Sequence, residues 1–195
     1  MFTSNMPQAW YEAMVRKFGS EGSAQEHLEK CDGVIYRIVT SDNTTGPEWC
    51  DFAKANNLPL STSEEQFLRS DEFKPTDGVT YYIAIIKGLL FEEKQRHAQQ
   101  ILDFAAGLDF IEPSLEVDYL VRRHFSAEMT RAMGLKKLVT MHAPIPNKNA
   151  TGRALRVEDR HQGEGLIIDP FPYTHDYPIW IRDIGFVVLV GMSKA

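Results

Sequence analysis

The sequence predicts a mixed α+β domain, and the order of its segments carries that prediction. Two stretches near the front, Gly33–Thr40 and Gly78–Gly88, are rich in β-branched and aromatic residues and read as buried strands. The middle of the chain, from Glu92 to Met133, spaces its apolar residues as helices do. Strand-like stretches return at "KKLVTMHAPI", "EGLIIDPF" and "DIGFVVLVGM". Strands, then helices, then strands again differ from the regular alternation of a parallel βαβ fold.

Each element has its local reason. Residues 7–18 place Trp10, Met14, Val15 and Phe18 on one helical face, with Pro7 at the start and Gly19 at the stop. "SAQE", Ser23–Glu26, has the form of a capping box and is expected to open a short helix reaching about Lys30. "TTGPEWCDFAKANN" is a helix with Pro47 in its first turn, Trp49, Phe52 and Ala53 inward, and Asn56 or Asn57 at its end. "LPLSTS" is a short extended piece before an acidic turn. "EEKQRHAQQILDFAAG" is a helix ending at Gly107, with Ile101, Leu102 and Ala105 in the core. Ser114–Met133 is helical and breaks near Ser126, a new N-cap. Pro144 and Pro146 terminate the strand that begins near Lys136, and "NKNATGR" and "GRALRVEDR" are loops.

A chain of 195 residues with 43% apolar and 11% aromatic side chains suits one domain with a substantial core. We expect a single unit over 1–195, with N-terminal helices over 1–31 and a possible helical insertion over 89–135. The formal charge of −6 argues against a groove for duplex DNA, although "VRRHF", Val121–Phe125, is a small basic patch. Cys31 and Cys50 do not form a disulfide framework, so reduced thiols are expected. The opening residues lack a basic-then-apolar leader, and no apolar run reaches membrane-spanning length. A cytoplasmic protein with no membrane partner is therefore expected, and later packaging into a virion is compatible with that.

Three short elements, in order, carry the candidate chemistry. They are Arg37 within "VIYRIV", Ser61, Thr62 and Ser63 within "LPLSTSEEQF", and Gln162, Gly163 and Glu164 opening "GLIIDP". This set resembles the Arg, Ser-Thr-Ser, Gln/Glu-x-Glu pattern of the mono-ADP-ribosyltransferases, over about half of the chain. The resemblance implies a split, mostly antiparallel sheet with peripheral helices. It also implies NAD as substrate and transfer of ADP-ribose to a protein or nucleic-acid acceptor. In that family the arginine closes the first core strand, the serine triplet begins the next, and the last glutamate starts a later one.

The chemistry suits those residue types. Breaking a glycosidic bond to a cationic leaving group builds positive charge on the ribose, which a carboxylate such as Glu164 stabilises. The resemblance implies that the rigid fork of Arg37 would clamp the pyrophosphate, with Thr62 and Ser63 beside it on the dinucleotide. Ser61 holds the ribose or orients Glu164. Gln162 is expected to share a strand face with Glu164; the resemblance implies that it presents or polarises the acceptor, since in that family glutamine there goes with acceptors other than arginine.

Structural readings stand beside these. Arg37 suits the polar face of an edge strand, and the serine triplet before Glu64 and Glu65 suits a helix N-cap. The alternation in "HQGEG" suits any half-exposed strand start. His142, His161 and His175 have Asp169, Asp176 and Glu164 nearby, a set that two-histidine-carboxylate metals accept. No histidine pair has i, i+4 spacing and no H-E-x-x-H is present, so no metal is expected. Cys50 fits a small buried apolar residue better than a nucleophile. "HFS", His124–Ser126, is half of a two-histidine phosphoesterase signature without its second half. The competing function class is a non-catalytic binding, inhibitor or virion assembly protein. Its contact surface would be Tyr173, Tyr177 and Trp180, which serve equally as a turn packed on the core.

Overall fold

The computed structural model describes residues 8–24, 33–58, 60, 62–142, 153–158, 171–172 and 182–194. Its strands are β1 (Val34–Asp42), β2 (Asp77–Lys87), β3 (Lys137–Thr140), β4 (Arg153–Glu158), β5 (Phe171–Pro172) and β6 (Ile184–Lys194). They join in the single order β1-β2-β6-β3-β4-β5, where the sequence implies a split sheet. The β3/β6 pair is parallel and the others are antiparallel. The mixed class and the mostly antiparallel sheet thus hold.

The central pair decides where the helices go. On β2, Tyr81, Ile83 and Ile85 enter one core while Tyr82, Ala84 and Ile86 enter the other. On β6, Val187 and Leu189 face the first core and Phe186, Val188 and Val190 the second. Strands apolar on both faces need cover on both faces, since side chains alternate along a strand.

The first face is covered by α2 (Gly46–Ala55), α3 (Thr62–Leu68) and α5 (Leu115–His124), which contribute Trp49, Leu68, Tyr119 and Val121. The second is covered by α1 (Gln8–Phe18) and α4 (Ala98–Gly107), through Phe18, Ile101 and Ala105. A further short helix, α6 (Ala127–Ala132), leads back towards β3. The segment expected as an insertion therefore supplies side chains to both cores.

Most local signals act as read. Gly19 takes φ +80° at the end of α1, and Asn57 takes φ +53° after α2. The Glu48 carboxylate accepts from both the N–H and the hydroxyl of Thr45, at 2.7 Å each, and closes the first turn of α2. Ser126 caps α6 by accepting from the Met129 N–H at 3.1 Å. Trp49 and Ala53 are buried and Phe52 is half-buried, as expected, and Cys50 is a buried free thiol.

Four readings need correction. Residues 21–24 are already helical, and the Ser23 N–H donates to the Ser20 hydroxyl at 3.1 Å, so Ser20 and not Ser23 stands at the helix start. Residues 92–97 do not join the helix that follows. A 3-10 turn, Glu93–Gln95, precedes α4, and the Gln95 amide oxygen accepts from the Glu92 N–H. "LPLSTS" gives way to helix α3 at Thr62. Arg153–Glu158, read as loop, is β4, because β3 offers it a partner edge. Pro144, Pro146 and the expected strand over 164–170 lie outside the described residues.

Gly46 is fixed by close approach: a Cβ there would lie 1.7 Å from the Leu68 carbonyl oxygen, where α2 meets the end of α3. We expect Gly46→Ala to destabilise the fold by roughly 1–3 kcal/mol or more, as overpacking against backbone does. Gly107→Ala, which meets nothing within 4 Å, should be near neutral. Urea unfolding midpoints of the two variants check this, and equal midpoints would contradict the packing at Gly46.

Candidate functional site

Arg37 stands in β1 between Ile35 and Val39, both packed in the first core, and pairs across the ladder with Ile83 of that same core. The register therefore puts Arg37 on the face covered by α2, α3 and α5. Its guanidinium is part-buried, and Nη1 donates to the Tyr36 carbonyl at 2.7 Å. β1 is the terminal strand in the sheet order, as the edge-strand reading has it, but Arg37 is on the helix-covered core face and not on a polar one.

The serine triplet departs from the expected strand start. Thr62 is exposed and opens α3, with Ser63 beside it in the first turn. Glu64 and Glu65 follow in that turn, where acidic side chains complement the positive end of the helix dipole. Hydroxyl residues ahead of two glutamates make a helix start, and that preference prevails over an extended continuation. Ser61, Gln162 and Glu164 lie outside the described residues, as do His161, Asp169, His175, Asp176, Tyr173, Tyr177 and Trp180. Among the described residues no group of three or more His, Cys, Asp or Glu is arranged to hold a metal ion.

Beneath the triplet lies a charged cluster. Arg122 of α5 reaches Asp118 Oδ2 at 2.6 Å and Glu64 Oε1 at 3.8 Å, and all three side chains are essentially inaccessible. One guanidinium thus serves two buried carboxylates, an excess of negative charge in a medium that screens poorly. Its Nε and Nη1 have no hydrogen-bond partner among the described residues, nor has the Tyr119 hydroxyl or the Trp49 indole N–H. The guanidinium carbon lies 4.8 Å from the Tyr119 ring centre, and the Tyr119 and Trp49 rings are 5.5 Å apart. Burial pushes the Tyr119 phenol far above its usual range. The cluster ties the first turn of α3, with Thr62 and Ser63 in it, to α5.

A second buried carboxylate is fully served. Glu116 accepts from the Thr76 N–H and hydroxyl, both at 2.8 Å, and from the Tyr81 hydroxyl at 3.0 Å. This clamps the turn before β2 onto α5. Burial raises the Tyr81 phenol above its ordinary value.

The basic patch expected at "VRRHF" is absent. Arg122 is buried, while Arg123 pairs with Asp42 at 3.0 Å, donates to the Thr44 hydroxyl at 3.0 Å and lies 4.5 Å over the Trp49 ring. The hydrogen bond from Arg123, followed by that from Thr44, holds the Asp42 carboxyl below the usual range. Sequence reading missed the cluster, although Asp118 and Arg122 have the i, i+4 spacing of a helical ion pair. No signal in the sequence joined them to Glu64, 54 positions earlier by subtraction of 64 from 118.

Compared with family models, with curated proteins and with solved structures, the chain matches none.

Removing the guanidinium should strip Asp118 and Glu64 of the cation that they share in the buried cluster. We expect Arg122→Met to cost roughly 3–5 kcal/mol, and the double variant Arg122→Met, Asp118→Leu to recover a large part of it. Equilibrium urea unfolding measures both. A single variant as stable as wild type would show that the cluster is solvated.

Proposed function

We propose that this chain is a mono-ADP-ribosyltransferase that cleaves NAD at the nicotinamide–ribose bond and passes ADP-ribose to a macromolecular acceptor. One observation carries the reading: Arg37 and the helix opened by the serine triplet stand on the same face of the sheet. Two of the three motifs, far apart in sequence, are thereby brought to one side of the molecule.

In this reading Arg37 binds the pyrophosphate through two parallel N–H donors. The Ser61 hydroxyl holds the ribose, and Thr62 and Ser63 flank the dinucleotide. The Glu164 carboxylate faces the ribose as its bond to nicotinamide lengthens, and stabilises the oxocarbenium-like charge. Nicotinamide leaves as a neutral amide carrying the bonding pair. Gln162 presents the acceptor, a protein side chain or a nucleic-acid base.

A second reading, a non-catalytic binding or virion assembly protein, is favoured by a specific observation of its own. Thr62 and Ser63 lie in a helix start, where such residues ordinarily serve the backbone.

Labelled NAD incubated with the protein and a cell lysate separates the two. We expect label transfer by the wild type and its loss in Glu164→Ala. Calorimetry should register NAD binding that Arg37→Ala weakens about tenfold or more, as the loss of a charged bidentate contact does. A folded protein that neither binds, hydrolyses nor transfers NAD would overturn the transferase reading and favour the binding module.

A further inference from the structure

Across the sheet from Arg37, the last turn of α1 and the end of β6 enclose a groove of about 520 Å³. Among the described residues nine line it and none is a carboxylate, in a chain with 27 acidic against 21 basic residues. Arg16 and Lys17 enter from α1, and Lys194 lines the end of the groove. The hydroxyls of Tyr82 and Ser193 are 3.3 Å apart beside them. Ala13, Val190 and Met192 supply an apolar wall.

A β-bulge shapes this end of the sheet. Tyr82 pairs with Gly191 and Ile83 with Leu189, so Val190 is an extra residue on β6. Lys17 Nζ donates to the Val190 carbonyl at 3.2 Å and to the Asp109 carbonyl at 2.5 Å. The Phe18 and Phe110 ring centres lie 5.6 and 5.8 Å from the same ammonium. Two carbonyls use two of its three donors and fix it in place. Burial lowers the Lys17 pKa, an effect that the nearby Asp109 charge partly opposes. An ammonium already stripped of part of its water gains more from a bound anion than a solvated one does. Among the described residues, Arg16, Lys17 and Lys194 form no ion pair that would neutralise them. Basic residues are ordinary in the last turn of a helix. A fixed ammonium, an adjacent guanidinium and a hydroxyl pair lining one cavity are more than that preference requires.

We infer that this groove binds a small organic phosphate of about nucleotide size. The phosphate oxygens accept from Arg16, from the remaining Lys17 donor and from the Tyr82–Ser193 hydroxyls. The groove falls in the size range of small-molecule sites and exceeds what a phosphate alone would fill. The organic part of the ligand therefore lies along Ala13 and Val190. This site is on the opposite face from Arg37 and stands or falls independently of NAD transfer.

Titration calorimetry on the full chain tests it with AMP, adenosine and inorganic phosphate as probes. AMP should bind, adenosine should not, and inorganic phosphate should compete with AMP. Arg16→Gln, at an exposed position, should weaken AMP binding about tenfold or more, as loss of a charge-assisted contact does, and Ser193→Ala should weaken it less. The AMP binding that Arg16→Gln weakens should persist in Arg37→Ala, so that occupancy of the groove is read apart from any occupancy of the Arg37 face. The inference is overturned if AMP fails to bind at millimolar concentration, if adenosine binds as well as AMP, or if phosphate does not compete. It is equally overturned if both groove variants bind AMP like wild type, or if Arg37→Ala alone abolishes binding.

Discussion

The structure depends on a sheet whose central strands are apolar on both sides. β2 and β6 send successive side chains into two separate cores, and neither face can be left to water. Every helix placement follows from that demand. α2, α3 and α5 close one face, while α1 and α4 close the other. Residues 89–135 therefore belong to the fold's own packing, since Ile101 and Ala105 fill one core and Val117, Tyr119 and Leu120 fill the other. With both faces covered, polar chemistry is left to the sheet's ends and edges and to a few buried groups that need partners.

Those groups are treated in opposite ways. Glu116 sits in a complete set of donors from Thr76 and Tyr81, so its burial leaves little unpaid desolvation and fixes the turn before β2. Arg122 sits between two carboxylates with much of its donor capacity unused among the described residues. The first arrangement is what a fold needs for a buried charge. The second exceeds that need, and it lies directly behind the helix that Thr62 opens.

The central strands and most helices were legible because their signals are local and redundant. "YYIAIIK" and "FVVLV" are strands by composition, and Pro47, Gly19 and Ser126 mark helix ends by backbone geometry alone. Where readings failed, a non-local partner decided. Arg153–Glu158 carries three charged residues in six and has no strand signature of its own; pairing with β3 makes it one. Ser20 and Ser23 are both competent caps, and the chain uses the earlier one. "VRRHF" looked basic because a sequence shows charges without their partners, which are Asp118, Glu64 and Asp42. Of the candidate site, the side of the sheet that carries Arg37 follows from strand alternation. The helical start at Thr62 follows from Glu64 and Glu65, a signal that the strand expectation overrode.

The two faces now carry different electrostatic characters, and the sheet keeps them apart. On the Arg37 side, cations are matched or outnumbered: Arg123 by Asp42, and Arg122 by Glu64 and Asp118. On the α1 side, Lys17 is held by neutral carbonyls and lines a groove with no carboxylate among the described residues. Carbonyls leave a cation's field less offset than paired carboxylates do, although the Asp109 charge still acts on Lys17. The anion binding inferred for the α1 groove rests on that local arrangement, even though the chain as a whole is acidic. A pyrophosphate held on the Arg37 face needs the guanidinium fork to be preorganised, because the surrounding field does little to help. That asymmetry makes the orientation of the Arg37 guanidinium, now donating to the Tyr36 carbonyl, the variable on which the proposed NAD site turns.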